Sequence, residues 1–266
     1  MQETVDPPAR QTGGRPGGSV GEKWIEKAGR GFLLPERRLY GMNYIKPLQI
    51  QAYEALKTMI LNGSFERGTT YSETRISQTL GFSRTPVRDA IQHLAQEGYL
   101  DILPSKGFCI HEMTDADLIR TYQIRCALEG FCAVQMAQEH KTPRARQAIE
   151  KLGALLQAQE NVLKGSHAIE EFVGFDKEFH RQIVVYLDNS DISRLFDQFQ
   201  FQIDQIATRS LAREGRMEET LHEHRVIVDT IRIGAVGRCY KAVLVHLGKP
   251  KDIILQNAGQ NSADLV

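Results

Sequence analysis

Between Tyr44 and His111 the apolar positions recur first at helical and then at strand spacing. Ile50, Tyr53, Leu56, Ile60 and Leu61 share one helical face, and Asn62-Gly63 is a natural C-terminal stop. Ser72 offers an N-cap for a short helix through Ile76 and Leu80, which Gly81 breaks. Val87, Ala90, Ile91 and Leu94 step by three and four along a third helix that Ser83 can cap and Gly98 closes. Pro86 is tolerated in its first turn, where the amides lack intrahelical partners anyway. Tyr99 to Leu103 and Phe108 to His111 read as strands about the turn Pro104-Ser105-Lys106-Gly107. Three helices followed by a β-hairpin predict a winged helix-turn-helix.

From Thr114 onward the pattern is helical throughout, with no alternating stretch. It predicts six helices, over about 114–140, 143–163, 168–186, 193–213, 217–233 and 236–247, with Asn189 and Ser190 in a turn and Gly248-Lys249-Pro250 as a stop. The fold class is therefore mainly α, a winged helix-turn-helix followed by an all-α bundle. The expected division is a tail over 1–42, a first domain over 43–112, a helical domain over 113–250 and a C-terminal tail over 251–266. The first tail mixes Pro7, Pro8 and Pro16 with Gly13, Gly14, Gly17 and Gly18, and at most a short helix is expected near 21–28.

The 266 residues suffice for two domains with separate cores. Lys+Arg and Asp+Glu both total 33, so any anion-binding face must be built from placed charges rather than from net charge. No apolar run approaches the roughly 20 residues that span a bilayer, and no compact signal core opens the chain. The expectation is a cytoplasmic protein without membrane contact. Cys109, Cys126, Cys132 and Cys239 show no C-x-x-C spacing and are read as reduced thiols, with Cys126 and Cys132 as core filler.

Arg84 and Arg88, four apart at the start of the third helix, project from one side of it. A capped helix with an apolar back and two arginines in front suits the DNA major groove, where Arg to guanine is the commonest specific contact. A solvated surface helix is the plainer alternative. Lys106 and Gly107 at the hairpin tip are placed to reach a minor groove or a phosphate. In the bundle, helical phase sorts the eight histidines. Asp176 and His180 share a face flanked by Phe172, Phe179 and Ile183; His224 lies on the stripe Leu221, Val228, Ile231; His246 follows Cys239 and Val243; His222 faces elsewhere. Buried polar groups need partners. A divalent metal satisfies all four side chains, with zinc first and nickel or manganese as alternatives; a hydrogen-bonded polar core without metal is the competing reading.

The run Ile60-x-x-Gly63, Gly68, Leu80-Gly81-Phe82-Ser83-Arg84-Thr85-Pro86-Val87-Arg88-Asp89-Ala90-Ile91, Glu97-Gly98-Tyr99, Gly107-Phe108 closely resembles GntR-family transcriptional regulators. Phe175-Asp176-x-x-Phe179-His180, Glu223-His224-Arg225 and His246-Leu247 resemble the metal-binding pattern of the FCD effector domain in the FadR subfamily, and Arg125-x-x-Leu128-Glu129 its first-helix motif. The resemblance covers roughly 44–248. It implies DNA contacts by Arg84, Arg88 and Gly107, metal ligation by Asp176, His180, His224 and His246, and an effector carboxylate on Arg125, whose other reading is an ion pair with Glu129. Arg75, Ser83, Thr85 and Lys106 complete the candidate DNA-contacting set. The family's basic residue early in the second helix is Thr74 here; Ala235 and Leu244 depart from the pattern around the last helix.

The expected function is a metabolite-responsive regulator, acting as a repressor of a catabolic operon. It would bind a pseudo-palindromic double-stranded operator as a homodimer and take a small organic acid at the metal. Two rival readings are a metalloenzyme using the His/Asp site and a winged-helix protein-interaction module. Neither has support from a catalytic residue: no general base stands near the four ligands, and the expectation is that the chain is not an enzyme.

Overall fold

The computed structural model describes residues 46–263. The tail over 1–42 and the start of order near Tyr44 lie outside the described residues. The described chain divides into two compact units. One runs up to Leu94 and includes Ile102–Ile110; the other comprises Ala95–Asp101 and the chain from His111.

Along the chain, α1 (Leu48–Leu61), α2 (Glu73–Leu80) and α3 (Arg84–Gln96) precede the hairpin β1 (Leu100–Leu103) and β2 (Gly107–Ile110). Leu56, Ile76, Val87, Ile91, Leu94 and Phe108 form the core as predicted. On α1, however, the predicted Ile50 and Leu61 are exposed, and Ala52, Ala55 and Met59 complete the buried face with Leu56 and Ile60. The buried stripe lies about a quarter turn round from the one read in the sequence. α2 ends on Gly81 in the left-handed conformation (φ 70°). Ser72 occupies the N-cap position of α2 without a side-chain cap bond. Gly107 answers a steric demand: at φ 121° a Cβ there would lie 2.0 Å from the Tyr71 carbonyl oxygen. That closeness lets Tyr71 and Phe108 exchange backbone hydrogen bonds of 2.7 and 3.0 Å, pinning the wing to the segment before α2. Phe65 packs edge-on against both rings.

The second unit contains α4 (Asp115–Gln138), α5 (Pro143–Lys164), α6 (Ile169–Val185), α7 (Ser190–Gln198), α8 (Gln200–Leu211), α9 (Arg216–Arg232) and α10 (Val236–Ala263). Thr114 and Asp117 form a reciprocal capping box on α4, Thr142 caps α5 ahead of Pro143, and Asn189 caps α7 through the amides of Asp191 and Ile192. Cys132, Met136, Phe179, Ile183, Val228, Ile231, Cys239 and Val243 interlock at the centre. α4 and α10 approach closely at Gly130, where a Cβ would meet the Tyr240 ring at 2.9 Å. All four cysteines are free; burial pushes the Cys132 thiol up to about 12 and the Cys239 thiol up to about 11. Cys132 is fully buried as core filler, while Cys126 is only half-buried. Among the described residues no helix is long and apolar enough to cross a membrane.

Two elements differ from expectation. The helix expected over 193–213 is two helices, broken at Phe199 (φ −97°, ψ 6°), which lets Phe196 and Ile203 turn into one cluster with Val184. The last helix does not stop at Gly248-Lys249-Pro250, and residues 251–263 continue it rather than forming a tail. An interior proline costs roughly 3 kcal/mol. Ile253 and Ile254, both buried beyond it, each recover roughly 1.5–3 kcal/mol, Ile254 against Leu118 and Ile206.

His111 lies between two carboxylates. Its Nδ1 lies 2.9 Å from Asp101 Oδ2 and its Nε2 lies 3.1 Å from Asp117 Oδ2. Burial acts to lower its pKa, but Asp101 and then Asp117 outweigh burial and raise it above 6.5. The protonated ring is therefore favoured by folding. Its contribution is complete below 6.5 and disappears as pH climbs through the raised value. Urea unfolding should show His111→Gln less stable than wild type by on the order of 1 kcal/mol at pH 6, with the difference gone at pH 9; an equal loss at both values would refute the assignment.

Candidate functional site

The second unit brings together four side chains that the sequence spaces over 70 positions. Asp176 and His180 stand one turn apart on α6, His224 on α9 and His246 on α10, all buried. His246 Nε2 is 3.1 Å from His180 Nε2 and 3.2 Å from His224 Nε2. Asp176 Oδ1 lies 3.5 Å from His224 Nε2 and 3.8 Å from His180 Nε2. Phe179 stacks on the His224 ring at 3.9 Å and fixes its plane.

The opposite edge of each ring decides the chemistry. His180 Nδ1 is 2.6 Å from Glu129 Oε2, His246 Nδ1 is 2.7 Å from Glu223 Oε2, and His224 Nδ1 is 3.0 Å from Gln159 Oε1. Each of these partners is an acceptor, so each Nδ1 carries the proton and donates it. Burial lowers the pKa of His224 and of His246, which keeps both rings neutral. The Nε2 lone pairs of His224 and His246 then face each other at 3.2 Å with no proton between them, and His180 Nε2 lies 3.1 Å from His246 Nε2. That arrangement is repulsive unless a cation sits among them. Ligands about 2.0–2.1 Å from one ion are spaced about 3.0–3.4 Å from each other, so the residues fit a divalent metal.

Arg125 makes the ion pair with Glu129 and keeps one nitrogen unpaired. Its Nε donates to Glu129 Oε1 at 2.6 Å, while its Nη2 is buried with no partner. Burial would push Glu129 up, but Arg125 and His180 together hold it at about 2. Arg216, on the first turn of α9, was not singled out by the sequence; its Nη1 and Nη2 grip Glu223 Oε1 and Oε2 at 2.8 and 2.7 Å. Burial again acts upward on Glu223, and His246 and Arg216 bring it to about 2. The seven-residue spacing of Arg216 and Glu223, two helical turns, was the available signal. Gln159 gave none, since a single glutamine on a long helix has no distinguishing spacing. A cavity beside the cluster is lined by Arg125, Asp176, His180, His246, Ser210, Thr220 and Arg216, among others.

In the first unit the face of α3 opposite its buried stripe is open. Arg75, Ser83, Arg84, Thr85, Arg88 and Lys106 are exposed, and Gly107 is half-buried against Tyr71. Arg88 Nε stands 3.9 Å from Glu73 Oε2.

Residues 48–110 match the model of bacterial regulatory proteins of the gntR family, and residues 120–249 match that of the FCD domain. An uncharacterized HTH-type transcriptional regulator of Bacillus subtilis is 28% identical over 200 residues, 75% of this chain and 88% of that protein. A probable D-xylose utilization operon transcriptional repressor of Paenarthrobacter nicotinovorans is 26% identical over 188 residues, 71% of this chain and 80% of that protein. Among solved structures, McbR/YncC of E. coli shares the fold with a TM-score of 0.62 at 18% identity, over 80% of this chain and all of that one.

Proposed function

The chain belongs to the GntR family of bacterial transcriptional regulators and carries their FCD domain, and on that footing we propose that it is a homodimeric repressor released from its operator by a small carboxylic acid. It is a DNA-binding regulator and not an enzyme. The operator would be pseudo-palindromic, with two copies of α3 in major-groove half-sites about 34 Å apart. Arg84 and Arg88 would read bases, and Arg75, Ser83, Thr85, Lys106 and Gly107 would meet the backbone or flank it. The repressor direction takes its support from the Paenarthrobacter relative, itself a probable transcriptional repressor.

The observation that carries the effector reading is the convergence of three histidine Nε2 atoms beside the unpartnered Nη2 of Arg125. Asp176, His180, His224 and His246 would hold a divalent ion, which supplies open coordination positions to an anionic ligand. Glu129 orients His180 and Arg125 together, so the carboxylate-binding nitrogen and one metal ligand share a support. The α4, α6, α9 and α10 helices all contribute to this wall. A ligand that binds one arrangement of them more tightly shifts the population competent for the operator, by no more than its difference in affinity between arrangements.

Gel shift of the zinc-loaded chain on fragments from its own upstream region tests the proposal. A discrete complex should form at nanomolar protein and dissociate when one acid from a panel of short carboxylic acids is added. A complex that no acid disturbs, in protein carrying its metal, would overturn the effector reading.

A further inference from the structure

Ala95–Asp101 belongs to the second unit, and its gripped part follows the end of α3 directly. Two side chains at the start of α8 hold it. Gln202 Nε2 donates to the carbonyl oxygen of Glu97 at 2.9 Å, across 105 positions of sequence. The Tyr99 ring, 3% exposed, stacks on Phe201 with centroids 4.2 Å apart and planes inclined by 24°. Gly98 between them is in the left-handed conformation (φ 71°), and a Cβ there would stand 1.9 Å from Gln202 Nε2. This glycine both ends the helix and leaves the space that the amide fills. Carbonyls at a helix end are ordinarily met by nearby amides, water or a basic side chain; this one takes a neutral amide from a distant helix.

Stability alone explains the pair poorly. Gln202 Oε1 is buried with no partner, a penalty that an apolar side chain of similar size would avoid. Neither Phe201 nor Gln202 is fully buried. α8 is anchored by other residues: Ile203, Ile206, Ala207 and Leu211 are buried in three separate clusters, and Asp204 Oδ2 meets Lys177 Nζ of α6 at 2.9 Å. The helix is thus fastened to the bundle without Phe201 and Gln202, and these two grip Glu97–Tyr99.

Resting on the homodimer reading above, we propose that Phe201 and Gln202 are positioning residues for operator binding. By fixing Glu97–Tyr99 they set the half-site spacing that a pair of α3 helices accepts. α3 ends at Gln96 and the gripped segment begins at Glu97, so the grip limits where α3 can lie. One extra base pair between half-sites moves one of them by about 3.4 Å and turns it by roughly 35°. A fixed pair of helices rejects that change, and a loosened pair tolerates it.

Selection from random DNA by the full chain gives the half-site and its spacing, and fluorescence anisotropy then compares that spacing with one lengthened by a base pair. Wild type should prefer the selected spacing by about tenfold or more. In Phe201→Ala/Gln202→Ala the ratio should fall below about threefold, with the half-site sequence and the affinity for a single half-site unchanged. Gln202→Ala alone keeps the ring stack and every buried anchor of α8, and its ratio should lie between the two. If melting shows that the double variant does not fold, this single variant decides. A variant as selective as wild type overturns the inference. So does a variant that weakens every site equally, single half-sites included, since that marks a structural role, and so does a wild type that accepts both spacings of a paired site. A wild type that binds paired half-sites no better than single ones means that the homodimer reading has failed, and the inference falls with it.

Discussion

Removing the metal with a strong chelator is expected to lower the melting temperature by on the order of 10 °C. A ligand present at a thousand times its dissociation constant stabilises the folded state by about 4 kcal/mol, and in a domain of this size each kcal/mol shifts the midpoint by roughly 2–4 °C. The loss should exceed that of an ordinary bound ion, because the empty cluster leaves the lone pairs of His224 and His246 facing each other at 3.2 Å. The tautomers of the cluster cannot relax freely, since Glu129, Gln159 and Glu223 each hold an Nδ1 proton from the far side. His246→Ala should show the same drop without chelator and bind less than one ion per chain by elemental analysis. A melting temperature indifferent to chelator, in wild type purified without one, would mean that the cluster is a hydrogen-bonded polar core.

The paired substitution Arg84→Ala/Arg88→Ala should weaken operator binding by roughly 10²- to 10⁴-fold, since each arginine read against a base contributes about 1–3 kcal/mol. The effect is concentrated because little other positive charge is available: the whole chain has 33 basic and 33 acidic residues. Both arginines sit on the exposed face of α3, whose buried face is Val87, Ala90, Ile91 and Leu94, so the substitutions leave the core intact. Arg88 also has Glu73 at 3.9 Å, and DNA must draw it from that carboxylate. Fluorescence anisotropy at two salt concentrations separates the possibilities. Loss on the operator with little change on random DNA supports base reading. A uniform loss on both, with a flatter salt dependence, would mean that the arginines contact phosphate instead.

The winged helix and the four candidate ligands were legible because both are written in local spacing. Val87 to Leu94 and the pair Asp176 and His180 each declare a face within one or two turns. What helical phase cannot report is which side chain meets which across the bundle. Glu223 neighbours His224 in the chain yet orients His246, and Glu129 orients a histidine 51 positions away. The break at Phe199 and the continuation through Pro250 were misread because local propensity was overruled by burial of Phe196, Ile203, Ile253 and Ile254.

Pro250 has one more consequence, in the way α10 can open. Lacking an amide hydrogen, it leaves the carbonyl of His246, four residues earlier, without its helical partner. The helix is thus two lengths joined at a weak link, the first fastened by Cys239, Val243 and His246 and the second by Ile253 and Ile254. Transient unfolding of the second length gives up the bonds from residues 251–253 to the carbonyls of 247–249 and none that His246 or the residues before it make. The last turns of α10 can therefore exchange their amides with solvent while His246 stays in place.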